Sequence, residues 1–332
     1  MKNVQGLSWG LVGASTIARE FMIDAIRSQP GSDVAILVSS DRERGERFAA
    51  SFGIPRVTTS LDDLLEDDLV DAVYISTTNQ HHASQAIAAI RAGKHVLCEK
   101  PLAMSLSDAR SMVDTANKED VVLGTNHHLR GAATIQSIRN LVADGAIGTP
   151  LYAGVTHVCE LPSNLRGWRL EDPSAGGGVA FDLVAHDADT LRYIFGSEIV
   201  EVMAIADSHY PVEQGMVAVL KLKNGILAHI IDTFNVPHGG TGISIHGTRG
   251  SIHATDVLTQ QPVGTVTLVD DRGEHTVDVQ HHGIYEYALH RFTSAARGYG
   301  IPLATGEDGL ASLAVTLAAR TSAGSGRSER VQ

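Results

Sequence analysis

The chain has 332 residues, 43% of them hydrophobic, and 38 acidic against 26 basic side chains give a formal charge of -12. This length and apolar content suit two cored domains and exclude a disordered chain. The charge is spread through mixed-sign segments such as SDRERGERF with no Lys/Arg-rich run, which argues against a nucleic-acid or anionic-membrane partner and for a small molecule.

From residue 7 to about 125, the apolar runs LSWGLV, DVAILVS, VDAVYIST, KHVLCE and DVVLGTN alternate with helical stretches. Such runs predict parallel strands buried on both faces, hence a doubly wound Rossmann domain over 1–125. The first strand leads into GASTIA, a dinucleotide-type turn formed by Gly13, Ser15, Thr16, Ile17 and Ala18. Ser15 stands where a second glycine is usual, so this turn alone equally fits an ordinary strand-to-helix connection. The second strand ends in Ser39 and Ser40, without the acidic residue that NAD sites place on the adenine ribose. Asp41 comes two residues too late and suits the N-cap of RERGERFAASFG, with Gly53 as the stop. Two hydroxyls with Arg44 one turn inside the helix could receive a 2'-phosphate, which favours NADP(H) over NAD(H). Arg44 is also compatible with a plain solvated helix position.

The run KHVLCE ends in Glu99, Lys100 and Pro101, a paired acid and ammonium at a strand end, where open α/β sheets hold ligands. The Lys100–Pro101 bond is a candidate cis peptide. Ser107 is the expected N-cap of DARSMVDTANKED. After DVVLGTN come Asn126, His127, His128 and Arg130, suited to sugar hydroxyls, while HHLR lacks the spacing of a metal site.

Beyond about 125 the pattern changes. A helix near 131–144 precedes many β-type runs between 150 and 280, including VMAIADSHY, GMVAVLKLKNGILAHIIDTF, ISIHGTRGSIHA and VGTVTLVDD, with KNG and DRG as hairpin signals. A second α/β domain over 126–332, with a mostly antiparallel sheet open on one face, is predicted, and an open face invites homo-oligomerisation. Within it GGGVAFDLVAHDADTL sets Asp182 and His186 four residues apart, on one face of a helix. Two helical segments, IYEYALHRFTSAARG and DGLASLAVTLAAR, close the chain before a polar tail expected to fray.

Cys98 and Cys159 lie far apart without metal-type spacing, which predicts neither a disulfide framework nor a cysteine zinc site and suits a reducing cytosol. No apolar stretch reaches the roughly 18 residues of a membrane span, and Met1 to Gly6 shows no charged leader. The expectation is a soluble cytoplasmic protein.

In GASTIA, STTNQHHASQAIAAIRAGKHVLCEKPLAM, GTNHHLR and GGGVAFDLVAHDADTLR, taken in order, the chain resembles the glucose-fructose oxidoreductase/inositol dehydrogenase (Gfo/Idh/MocA) family over most of its length. The resemblance implies a Rossmann domain followed by an α/β substrate domain, with Thr77, Thr78, Asn79, His82, Glu99 and Asn126 near the cofactor. It also implies that Trp168 and Arg169 of GWRL reach cofactor or substrate, and that Lys100, His128, Arg130, Asp182, His186 and Tyr285 meet the substrate. Tyr285 equally fits core packing. The motifs come nearest to NADPH-dependent members acting on keto sugars, so the expected reaction is reduction of 1,5-anhydro-D-fructose to 1,5-anhydro-D-mannitol.

Hydride addition to a ketone needs a cation for the developing alkoxide and a proton donor. Lys100 and His186 are the right residue types, with Asp182 to orient a hydroxyl or the imidazole, and the three are expected to converge beside the nicotinamide. Two rivals remain: a dehydrogenase oxidising a polyol, inositol or aldose, and an NADP-binding sensor without turnover.

Overall fold

The computed structural model describes residues 6–207 and 210–332. Met1 to Gln5, within the segment searched for a leader, and Ser208 and His209, the end of the VMAIADSHY run, lie outside the described residues. The chain divides into two compact units, 1–127 with 285–310 and 128–284 with 311–332. The segment 285–310, read from chain order as part of the second domain, thus groups with the first.

The first unit is built on a six-stranded, wholly parallel sheet: β1 (Ser8–Val12), β2 (Asp33–Val38), β3 (Val57–Thr58), β4 (Ala72–Ile75), β5 (His95–Cys98) and β6 (Leu123–Thr125). Its order, β3-β2-β1-β4-β5-β6, is the doubly wound one, with the reversal of direction falling between β1 and β4. β4 is buried at every position, as expected for a strand covered on both faces. The connecting helices are α1 (Ile23–Ser28), α2 (Arg42–Phe52), α3 (Leu61–Leu65), α4 (His82–Arg91) and α5 (Leu106–Glu119). A π turn over Ala18–Met22 runs into α1.

Asp41 caps α2, its carboxylate accepting from the Arg44 N–H at 2.7 Å, and Gly53 ends the helix in the left-handed region. On α5 the expected cap moves from Ser107 to Ser105. Asp108, three residues after Ser105, gives its N–H to the Ser105 hydroxyl at 3.1 Å and accepts from that hydroxyl at 2.7 Å, so Ser107 lies inside the first turn.

The second unit carries α6 (Ala133–Ala143), α7 (Trp168–Glu171) and α8 (Ala185–Phe195). With them goes a nine-stranded sheet of β7 (Pro150–Val158), β8 (Ile199–Ala206), β9 (Gly215–Leu222), β10 (Leu227–Thr233), β11 (Thr241–Gly247), β12 (Gly250–Thr255), β13 (Thr265–Asp270), β14 (Gly273–Thr276) and β15 (Glu329–Arg330). The order is β14-β13-β12-β11-β7-β10-β9-β8-β15, antiparallel throughout except for the parallel pair β7–β10. The KNG and DRG hairpins join β9 to β10 and β13 to β14.

Alternation along β9 buries Met216, Ala218, Leu220 and Leu222 and leaves Val217 and Val219 at least half exposed, in line with Met203 and Ile205 of β8. The sheet therefore has one packed and one open face within its unit. Two late helices complete the chain, α9 (Ile284–Ala296) and α10 (Gly306–Ser325). The tail expected to fray instead adds β15 to the edge of β8. The Ser328 hydroxyl donates to Glu201 at 2.6 Å and the Val331 N–H to the Val200 carbonyl at 3.1 Å, which supplies the fixing contacts that a polar composition does not reveal.

Candidate active site

Parallel strands bring their carboxyl ends to one edge, and in the first unit that edge gathers most of the expected cofactor residues. The backbone ladder continues past the strands: Gly13 N–H donates to Val38 O, Ser76 N–H to Val12 O, Glu99 N–H to Ile75 O and Asn126 N–H to Cys98 O, at 2.7 to 3.0 Å. Each rim residue is thus held in register by its neighbour. Gly13 has φ of 109°, and a Cβ there would lie 3.1 to 3.2 Å from the Ser76–Thr77 backbone, so the tight turn requires glycine. The Ser15 hydroxyl accepts from the Ala18 N–H at 3.1 Å and donates to the Ser76 hydroxyl at 2.7 Å, capping the helix that Thr16 and Ile17 open.

At the end of β2 the two serines separate. Ser39 is buried and donates to the Asp41 carbonyl at 2.8 Å, whereas Ser40 is exposed and accepts from Arg44 at 3.1 Å. At the end of β4, Thr77 donates to Gln85 at 2.7 Å, Thr78 precedes a short turn over Asn79–His81, and Asn79 is buried. His82 is fully buried with its ring nitrogens 2.8 Å from the Pro101 carbonyl and 3.2 Å from the Thr77 carbonyl. It ties the loop after β4 to the loop after β5, and burial holds its pKa below the usual histidine value. The Lys100–Pro101 bond is cis.

Glu99 accepts from the Tyr74 hydroxyl at 2.6 Å and from the Asn126 amide at 2.5 Å. Burial raises its pKa, against the opposing pull of those two donors and of Lys100. The Tyr74 phenol is pushed well above its ordinary value by burial and by Glu99, so it remains a donor. Tyr285 is 3% exposed and stacks on Phe21 at 4.9 Å between ring centroids, and burial followed by Glu99 raises its phenol in the same way. Tyr285 therefore belongs to the packing around Glu99. Tyr74 was missed in the sequence because a tyrosine inside VDAVYIST reads as one more apolar strand residue.

In the second unit Asp182 lies on a π turn over Ala180–Val184 that runs into α8, whose first turn holds His186. Asp182 is partly exposed and sits 3.6 Å from Arg169, which itself lies over the Trp168 ring at 4.5 Å. His186 is buried and meets His128 edge to face at 4.9 Å. The Arg130 guanidinium, expected near sugar hydroxyls, is buried and grips Asp189 with two bonds, at 2.6 and 2.8 Å. That pair fixes the turn carrying His128 against α8.

A second group is packed behind this helix. His157 of β7 and Asp232 of β10 are register partners, and Asp187 of α8 approaches His157 at 3.1 Å. Burial pushes the Asp187 carboxyl up to about 7, and burial followed by Asp187 pushes Asp232 well above the carboxylate range. None of the three was singled out from the sequence. A signal did exist, because Asp232 falls in phase with the buried Ala228 and Ile230 of β10. Cys98 is buried, and burial also holds the Cys159 thiol at about 11.

A doubly wound domain with a glycine turn at its switch point, joined in one chain to an α/β domain with an open sheet, defines an NAD(P)-dependent oxidoreductase acting on CH–OH/C=O groups. The comparisons agree. Residues 7–127 match the oxidoreductase family with an NAD-binding Rossmann fold, and residues 135–253 match the GFO/IDH/MocA C-terminal domain. The chain is 48% identical over 328 residues to 1,5-anhydro-D-fructose reductase of Ensifer adhaerens, covering 98% of both. It is 28% identical to myo-inositol 2-dehydrogenase of Thermotoga maritima, covering 97% of this chain and 98% of that one. In fold it is similar to aldose-aldose oxidoreductase from Caulobacter crescentus, with a TM-score of 0.89, 24% identity and coverage of 98% and 100%. The chain belongs to the Gfo/Idh/MocA oxidoreductase family. Among the described residues no helix is long and apolar enough to cross a membrane.

Proposed function

We propose that the protein is an NADPH-dependent keto-sugar reductase that converts 1,5-anhydro-D-fructose to 1,5-anhydro-D-mannitol. The substrate rests on the 48% identity over 98% of the chain to the Ensifer adhaerens reductase. The cofactor rests on the rim of β2. Asp41 is committed to capping α2, so no carboxylate is offered at the strand end, while the exposed Ser40 hydroxyl and Arg44 guanidinium lie together. The paired hydroxyl and guanidinium suit a 2'-phosphate.

When bound, the reduced nicotinamide supplies a hydride. The chain's own residues do the rest. Gly13 lets the backbone approach the pyrophosphate, and Glu99, held by Tyr74 and Asn126, borders the cofactor. Lys100 places a cation for the oxygen that gains charge, His186 exchanges the proton that completes the alcohol, and Asp182 orients a hydroxyl or the imidazole. The open face of β8, β9 and β10 suits a second copy of the chain.

Turnover is tested by following NADPH consumption with 1,5-anhydro-D-fructose, with product analysis for the mannitol and glucitol epimers, against inositol and aldoses with NAD. Efficient NAD-linked oxidation of a polyol would favour the dehydrogenase reading, and absence of consumption across keto sugars the sensor reading. Arg44→Ala is expected to weaken NADPH binding by about 10- to 100-fold, the worth of one charge-assisted hydrogen bond, and to leave NADH binding unchanged. Fluorescence titration measures both, and an equal loss for the two cofactors removes Arg44 from phosphate recognition.

A further inference from the structure

Two carboxyl groups and an imidazole are buried together in the second unit, and neither the family assignment nor the proposed reaction uses them. His157 is 7% exposed, and Asp187 and Asp232 are both fully buried. One ligand atom from each of the three lies within 4.8 Å of the others. Among the described residues no N–H or hydroxyl donates to either carboxylate oxygen of Asp232 or to Oδ2 of Asp187, and the two carboxyl groups lie within hydrogen-bond reach of each other. Asp232 is held in place by the β7–β10 register and is aimed at the same point as Asp187. Two carboxyl groups buried face to face without other donors must hold either a shared proton or a cation between them.

We infer that His157, Asp187 and Asp232 form a structural site for a first-row divalent cation, best matched by Zn2+. One nitrogen and two oxygen donors make a mixed set that zinc accepts, whereas magnesium and calcium call for all-oxygen shells with several waters that a closed core does not supply. Donors bound at about 2.1 Å to one ion are at most roughly 4.2 Å apart, so the three close on a cation with small side-chain rotations. Bound there, the ion satisfies the orphaned oxygens and links the first turn of α8 to β7 and β10. It stands apart from the hydride chemistry and does not depend on the identity of the sugar.

The test is made on full-length protein, unfolded in chelator, refolded with or without equimolar Zn2+ and freed of loose metal by dialysis. Metal content by mass spectrometry and melting temperature are the readouts. Wild type is expected to retain one Zn2+ per chain and to melt higher with zinc than without. Asp232→Asn is expected to bind zinc at least about 10-fold more weakly and to fold without zinc at least as stably as metal-free wild type, having lost an unpaired carboxylate. Asp187→Asn serves as the second variant. Zinc retained equally by wild type and Asp232→Asn, or wild type refolded with zinc that holds none, overturns the site. In the latter case, an infrared carboxylic-acid band lost in Asp232→Asn identifies a shared proton as the occupant.

Discussion

Lys100→Met is expected to lower kcat for keto-sugar reduction by about 10^2- to 10^4-fold while leaving NADPH affinity unchanged. Methionine keeps the unbranched stem, one atom shorter, and removes the cation. A ketone oxygen is neutral in the ground state and gains its charge as hydride arrives, so the contribution of the ammonium appears mainly in the transition state. Such a loss lowers kcat and kcat/KM together and leaves KM little altered. Steady-state kinetics with a parallel NADPH titration measure it. Glu99, beside Lys100 in sequence, is fixed by Tyr74 and Asn126, so the variant is not expected to disturb the rim. Undiminished turnover would exclude Lys100 from the chemistry.

Asp189→Ala is expected to destabilise the protein by about 3–5 kcal/mol, the usual cost of stranding a buried charge. The Arg130 and Asp189 side chains are 7% and 2% exposed and share two short bonds, with Arg192 a further 3.6 Å from Asp189. Removing the carboxylate takes both short bonds from the Arg130 guanidinium, while Arg192 keeps Glu198 at 2.7 and 2.8 Å. The melting temperature should fall by roughly 10 °C, read by calorimetry. Replacing Arg130 and Asp189 together with apolar residues of similar volume should recover most of the loss, because the desolvation cost goes with the pair. A change under about 1 kcal/mol for Asp189→Ala would show that the turn carrying His128 does not depend on this clamp.

Features set by short-range chemistry were readable in the chain. The Asp41 cap, the Gly53 stop, the two hairpins and the parallel strands each follow from residues within a turn of one another. The place of Gly13, Ser40, Arg44, Glu99 and Asn126 after the strands was legible because parallel strands deliver whatever follows them to a single edge. The burial of Arg130 was not legible, because its partner Asp189 lies 59 residues away and nothing in GTNHHLR marks a buried arginine. Tyr74 hid within a strand, and the cluster of His157, Asp187 and Asp232 comes from three separate elements. The π turns over Ala18–Met22 and Ala180–Val184 carry no compositional mark, yet the second holds Asp182, and such turns concentrate at functional sites.

The return of residues 285–310 to the first unit bears on how this protein can be dissected. Phe292 packs on Trp9 with ring centroids 5.3 Å apart, and Arg297 reaches Asp71 at 3.2 Å. A fragment cut after residue 127 would bare that indole and leave Asp71 only its bond from the Ser8 N–H at 2.9 Å, so a free-standing nucleotide-binding module has to include the late helix, grafted through a linker or by circular permutation. Translation imposes the same order on the nascent chain: the ribosome must deliver residues 285–310, after all of 128–284, before the first unit can close its own core.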